Sequence, residues 1–72
     1  MRSKTKIPKA LGRKIQIQRK KLKITQEKLA EKVGISRAYM GYIEQGRYIP
    51  SFKVADKIAK AFKVKVKDLI SF

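Results

Sequence analysis

The residues that could do chemistry in this chain are cationic. Twenty lysines and arginines stand against five acids, a formal net charge of +15 over 72 residues. Cysteine and histidine are both absent. That removes thiolate nucleophiles, disulfides and thiolate metal sites, together with the commonest general base and metal ligand. Five scattered acids and no glycine-rich phosphate loop supply no other catalytic constellation. The chain therefore reads as non-enzymatic and without a cofactor. A field of this sign attracts polyanions: nucleic acid, an acidic membrane surface or an acidic partner. The plainer reading is a merely soluble basic surface. The bias falls on lysine more than arginine, so composition alone speaks for phosphate attraction rather than base reading.

Nothing in the pattern targets a membrane. Uninterrupted apolar runs reach only two or three residues, far short of the roughly 20 a spanning helix needs. Met1–Gly12 has no apolar core of a signal peptide, so a cytoplasmic location is expected.

Cations bind with selectivity only when a scaffold aims them, and the scaffold reads as all-α. Residues 1–9 form a basic arm with Arg2, Lys4, Lys6, Lys9 and a helix-limiting Pro8. The arm is either a frayed, flexible terminus or a strap along a phosphate backbone. Residues 10–72 form the domain. A first helix is predicted from about Lys9 to Leu22, with Leu11, Ile15 and Leu22 on its inner face. A second begins at the N-cap Thr25, buries Leu29, Ala30 and Val33, and ends at Gly34. A third runs from the N-cap Ser36 to about Gln45, with Met40 and Ile43 inward, and Gly46 stops it. A fourth follows Pro50 and Ser51, with Phe52, Ala55, Ile58, Ala59 and Phe62 as its buried stripe. A very short fifth spans about Lys65 to Ser71. Val64–Lys65–Val66 alternates, but over too few residues to compete as a strand.

Two of these helices make a specific unit. A short helix, the turn Gly34-Ile35-Ser36 and a second short helix have the form of a helix-turn-helix. The steep crossing requires a small Ala30, a positive φ at Gly34, and apolar Met40 and Ile43 to fill the angle. Each stands at its required spacing from Gln26.

Leu11-Gly12, Ile15 and Arg19, then the run Thr25 to Ser36, Ile43-Glu44-Gln45-Gly46-Arg47 and Pro50-Ser51 resemble the phage repressor and Cro family of helix-turn-helix regulators. The resemblance extends from about Leu11 to Ile70. It implies a compact five-helix, lambda-repressor-like domain that binds double-stranded operator DNA, usually as a homodimer on a palindromic site. Gln26 then matches a phosphate-contacting glutamine that supports base recognition. Arg37 and Ala38 match the first base-facing positions of the recognition helix. Arg37 can bond a guanine edge in two parallel bonds or take a phosphate; Ala38 can touch only a thymine methyl. Tyr42, one turn on, reaches a base or phosphate, or packs at the helix end. Tyr39 sits at the core edge with its hydroxyl free for a phosphate. Arg47 and Tyr48 lie in a loop that in the family grips the DNA backbone, and Lys53 and Arg13 flank it. Arg19 and Glu44 match a structural ion pair that fixes the recognition helix.

Two positions depart from the family pattern. Gly41 interrupts the recognition helix, where it allows close approach to DNA or is simply tolerated. Lys23 stands where many relatives carry glycine, which implies a strained or reshaped turn. At the end of the chain, Leu69, Ile70 and Phe72 either fold onto the core or meet a second copy, at least on DNA. Two other functions fit the same residues: a DNA-binding antitoxin with a protein partner, and a non-specific binder of nucleic acid.

Overall fold

The computed structural model describes the backbone of residues 2–70 and the side chains from Pro8 to Ile70. Phe72 and the side chains of Arg2, Lys4 and Lys6 lie outside the described residues. Five helices follow in order: α1 (Arg2–Lys21), α2 (Gln26–Val33), α3 (Arg37–Glu44), α4 (Phe52–Phe62) and α5 (Val66–Leu69). Helix α1 begins earlier than predicted and carries Pro8 inside it. A proline favours a helix start without compelling one, and the residues before it include no glycine or second proline to stop the helix.

Each of the three middle helices starts on a side-chain cap. Thr25, Ser36 and Ser51 are extended and accept from the backbone N–H of Lys28, Tyr39 and Val54, at 3.0, 3.0 and 3.2 Å. Such caps satisfy one orphan donor and are worth about 1 kcal/mol each. The C-termini close with left-handed residues. Two are the glycines foreseen, Gly34 (φ 84) and Gly46 (φ 80). The other two are lysines. Lys23 (φ 58) lets Ile24 N–H reach the Arg19 carbonyl at 3.2 Å, and Lys63 (φ 61) lets Val64 N–H reach Ala59 at 2.9 Å. The turn after α1 thus keeps the glycine-type shape with a lysine in it, which is the strained alternative.

Helix α2 packs on α3 and α4, α1 on α3 and α5, and α4 on α5. Ile15, Leu29, Val33, Met40, Ile43 and Ile58 fill the centre with no more than 2% of their surface exposed. Gly12 sets the distance between α1 and α3. A Cβ there would overlap the carbonyl oxygens of Ile43 and Glu44. Leu69 is buried in the same core, so the last helix folds back onto the domain.

Two expected core residues are exposed instead. Phe52 keeps 69% of its surface, because it is the first residue of α4 and no other element covers that end of the stripe. Leu22 keeps 46%. The chain reverses at Lys23 and Ile24 takes the packing position against the core. Ile70 is exposed as well.

The strain at Lys23 gives a direct prediction. A left-handed non-glycine residue costs about 1–2 kcal/mol, partly offset by the extra unfolded-state entropy of glycine. Lys23→Gly should therefore stabilise the domain by about 0.5–1 kcal/mol in urea unfolding. A destabilisation would mean that the lysine side chain supports the turn.

Candidate nucleic-acid interface

The residues named from the sequence lie on α2, α3, the loop leading into α4 and the first turn of α4, with Arg13 on α1. Met40 and Ile43 face the core completely buried, which fixes the opposite side of α3 toward solvent. Arg37 and Ala38 stand exposed in its first turn, and Tyr42 follows one turn later, also exposed. Ser36 is spent on Tyr39 N–H. The N–H groups of Arg37 and Ala38, like those of Gln26 and Glu27 and of Phe52 and Lys53, therefore have no intrahelical acceptor.

Arg37 makes no ion pair. It lines a shallow cleft with Glu27 and Glu31 of α2, yet Glu31 lies nearer Lys28, at 3.6 Å. Arg47 and Lys53 are exposed and without carboxylate partners too. Of the five acids, Glu31, Glu44 and Asp56 are engaged with Lys28, Arg19 and Lys60. The cations on this surface are left uncompensated.

Three tyrosines named separately from the sequence form one cluster. Tyr39 and Tyr42 are three residues apart on α3 and so share a face. Tyr48, from the loop, rests on both, with ring centroids 6.1 Å from Tyr39 and 5.7 Å from Tyr42, the latter edge-on. The Arg47 guanidinium carbon lies 5.2 Å from the Tyr42 ring centroid. Edge-on aromatic pairs and cation–π contacts each add about 0.5–1.5 kcal/mol, so the loop is pinned to the end of α3. Arg47 N–H is consumed by the Tyr42 carbonyl at 2.9 Å. What Arg47 offers a ligand is its guanidinium, already stacked and aimed. Spacing placed each tyrosine near the interface; nothing in it told that Tyr48 would fold back onto the other two.

Behind the surface lies the ion pair. Arg19 Nε and Nη2 grip Glu44 Oε2 and Oε1 at 2.7 and 3.1 Å, and Nη1 donates to the Ile24 carbonyl at 2.9 Å. The two side chains are 10% and 1% exposed. Gln26 is half-buried and donates its amide to Glu44 Oε1 at 3.0 Å. The resemblance implies a phosphate contact for Gln26, and no signal in the sequence announces this bond to Glu44. Gly41 is buried against Gln26, not open to a ligand. The reading in which its missing side chain admits DNA is not supported by this placement. Arg13 is exposed on α1.

Comparison with known proteins finds relatives of the helix-turn-helix fold. A helix-turn-helix family model, HTH_3, matches residues 15–69. An HTH-type transcriptional regulator of Archaeoglobus fulgidus is 44% identical over 54 residues, 75% of this chain and 76% of that protein. The immunity repressor protein of Bacillus phage phi105 is 38% identical over 60 residues, 83% of this chain and 42% of the repressor. The crystal structure of the restriction-modification controller protein C.AhdI from Aeromonas hydrophila superposes with a TM-score of 0.81 at 27% identity, covering 86% of this chain and 90% of that one. Nothing in these comparisons supports the antitoxin reading.

The burial of the ion pair makes its loss costly. Glu44→Ala strands the Arg19 guanidinium in the interior and should destabilise the fold by about 3 kcal/mol in denaturant unfolding. A change below about 1 kcal/mol would show that water reaches Arg19 freely and that the pair holds nothing in place.

Proposed function

Because the chain belongs to the HTH_3 helix-turn-helix family, whose members are DNA-binding transcription regulators, we propose that it binds one operator sequence by laying α3 in the major groove of double-stranded DNA. The carrying observation is the first turn of α3. Arg37 and Ala38 are exposed, unpartnered and held rigidly by the buried Met40 and Ile43 on the other side. Arg37 reads a guanine edge with both guanidinium N–H pairs, and Ala38 leaves room for a thymine methyl. Tyr42 reaches a base or phosphate at the groove edge, and Tyr39 and Tyr48 offer hydroxyls to phosphates.

Gln26 and Lys53 meet phosphates at the starts of α2 and α4, where free N–H groups favour anions. Arg47 meets another from its stacked position. Lys9, whose backbone lies against Gly46, adds a further cation beside the same loop. The net charge draws the protein to DNA, and α3 chooses among sequences.

The protein acts without catalysis or cofactor as a repressor in the cytoplasm. The phi105 relative is named as an immunity repressor, and no described helix is long and apolar enough to cross a membrane. On DNA it is a two-fold homodimer with recognition helices about 34 Å apart, one turn of duplex. Leu69 is spent on the core, and Ile49, Phe52 and Ile70 are among the large apolar side chains open to a second copy.

Two substitutions separate sequence reading from charge attraction. After selection of bound duplexes from a random pool, Arg37→Ala should lose about 1–3 kcal/mol on the preferred site and relax choice at one base position. Uniform weakening on all duplexes would reduce Arg37 to a phosphate contact. Lys53→Ala should weaken all duplexes alike and lower the slope of log affinity against log salt by about 1; an unchanged slope removes Lys53 from the interface. A pool that returns no preferred sequence would favour non-specific binding.

A further inference from the structure

Gly41 and Glu44 converge on one side chain. Gln26 Nε2 donates to Glu44 Oε1 at 3.0 Å. A carboxylate can only accept, so the nitrogen side of the amide must face Glu44. The oxygen side then lies over Gly41: a Cβ added there would come 3.7 Å from Oε1 and 4.0 Å from Nε2. Glu44 cannot shift to suit a different amide, because Arg19 grips both its oxygens and is itself tied to the Ile24 carbonyl. Glycine inside a helix is less favourable than alanine. A Cβ here would make only ordinary van der Waals contact with the amide, so alanine fits, and a side chain must extend beyond Cβ to press on it.

We infer that Glu44 and Gly41 are positioning residues for DNA recognition, which together hold the Gln26 amide in one orientation at the start of α2 before DNA arrives. The inference rests on the reading of Gln26 as a DNA contact. One amide N–H is consumed by Glu44; the second N–H and Oε1 remain for the DNA. A glutamine on a flexible stem loses rotamer freedom on binding, and one already clamped loses less. The ion pair thereby supports affinity at a side chain it does not itself present to the ligand.

A double-mutant cycle tests this on the intact chain with the duplex selected from a random pool, alongside denaturant unfolding of each variant. Gln26→Ala should weaken binding about tenfold. Gly41→Val, whose γ-methyls reach toward the amide, and Glu44→Gln, which loosens its anchor, should each weaken binding by a comparable factor, while Gly41→Ala should leave affinity within about twofold. In the Gln26→Ala background, Gly41→Val and Glu44→Gln should change affinity less than about twofold, although their stability costs persist. Removing the Glu44 charge would by electrostatics alone tighten DNA binding, so a loss carries the opposite sign. If the losses persist in full without Gln26, the two residues act through the fold and the proposal fails. If Gln26→Ala leaves affinity unchanged, Gln26 does not meet DNA; the proposal fails with that contact, while the Arg37 test of α3 stands. If Glu44→Gln does not fold, the Gly41→Val cycle decides alone.

Discussion

The Arg19–Glu44 pair is the constraint on which the rest of the interface depends. A carboxylate at the C-terminal end of α3 is unfavourable beside the helix dipole, and burying it alone would cost several kcal/mol more. The guanidinium from α1 removes both penalties with two bonds and spends a third on the Ile24 carbonyl. One cluster therefore joins α1, the turn after it, the start of α2 through Gln26, and the end of α3. Gly12 and Ile15 precede Arg19 on the same stripe of α1, and the absent side chain at Gly12 lets the two helices come close enough for the pair to form. The exposed side of α3 is rigid because its buried side is bound in this way.

The outer surface has two parts with different chemistry. The start of α3 carries a free arginine and a small residue, suited to a groove edge. Its end carries an aromatic cluster that fastens the next loop and holds Arg47 on a tyrosine face. Stacked arginine keeps its N–H fork available while giving up little further freedom on binding. The protein thus combines a diffuse positive field with a few cations in fixed places. The first acts over the Debye length and the second only at contact.

Much of the frame was legible. Caps at Thr25, Ser36 and Ser51, stops at Gly34 and Gly46, and the inward spacing of Leu29, Ala30, Val33, Met40 and Ile43 are local signals, and each stands in the structure as read. The misplacements fall at element ends. Phe52 fits the period of α4, but periodicity reports a direction and not whether anything waits there. Leu22 fits α1, but a left-handed Lys23 turns the chain before it can pack. Lys63 repeats that turn without any glycine to announce it.

The sequence by itself determined the class of protein. The absence of histidine and cysteine, the positive charge and the spacing from Gln26 through Gly34 to Ile43 are properties of residue type and order. They leave a helix-turn-helix as the economical solution. The tertiary structure alone decided how the side chains are paired. Tyr48 seats on Tyr39 and Tyr42, Gln26 on Glu44, and Gly41 faces the Gln26 amide rather than the solvent. These contacts join residues from different elements, where helical period specifies a face but not its neighbour. A bond such as Gln26 to Glu44 exists only once α1 has brought Arg19 to anchor the carboxylate.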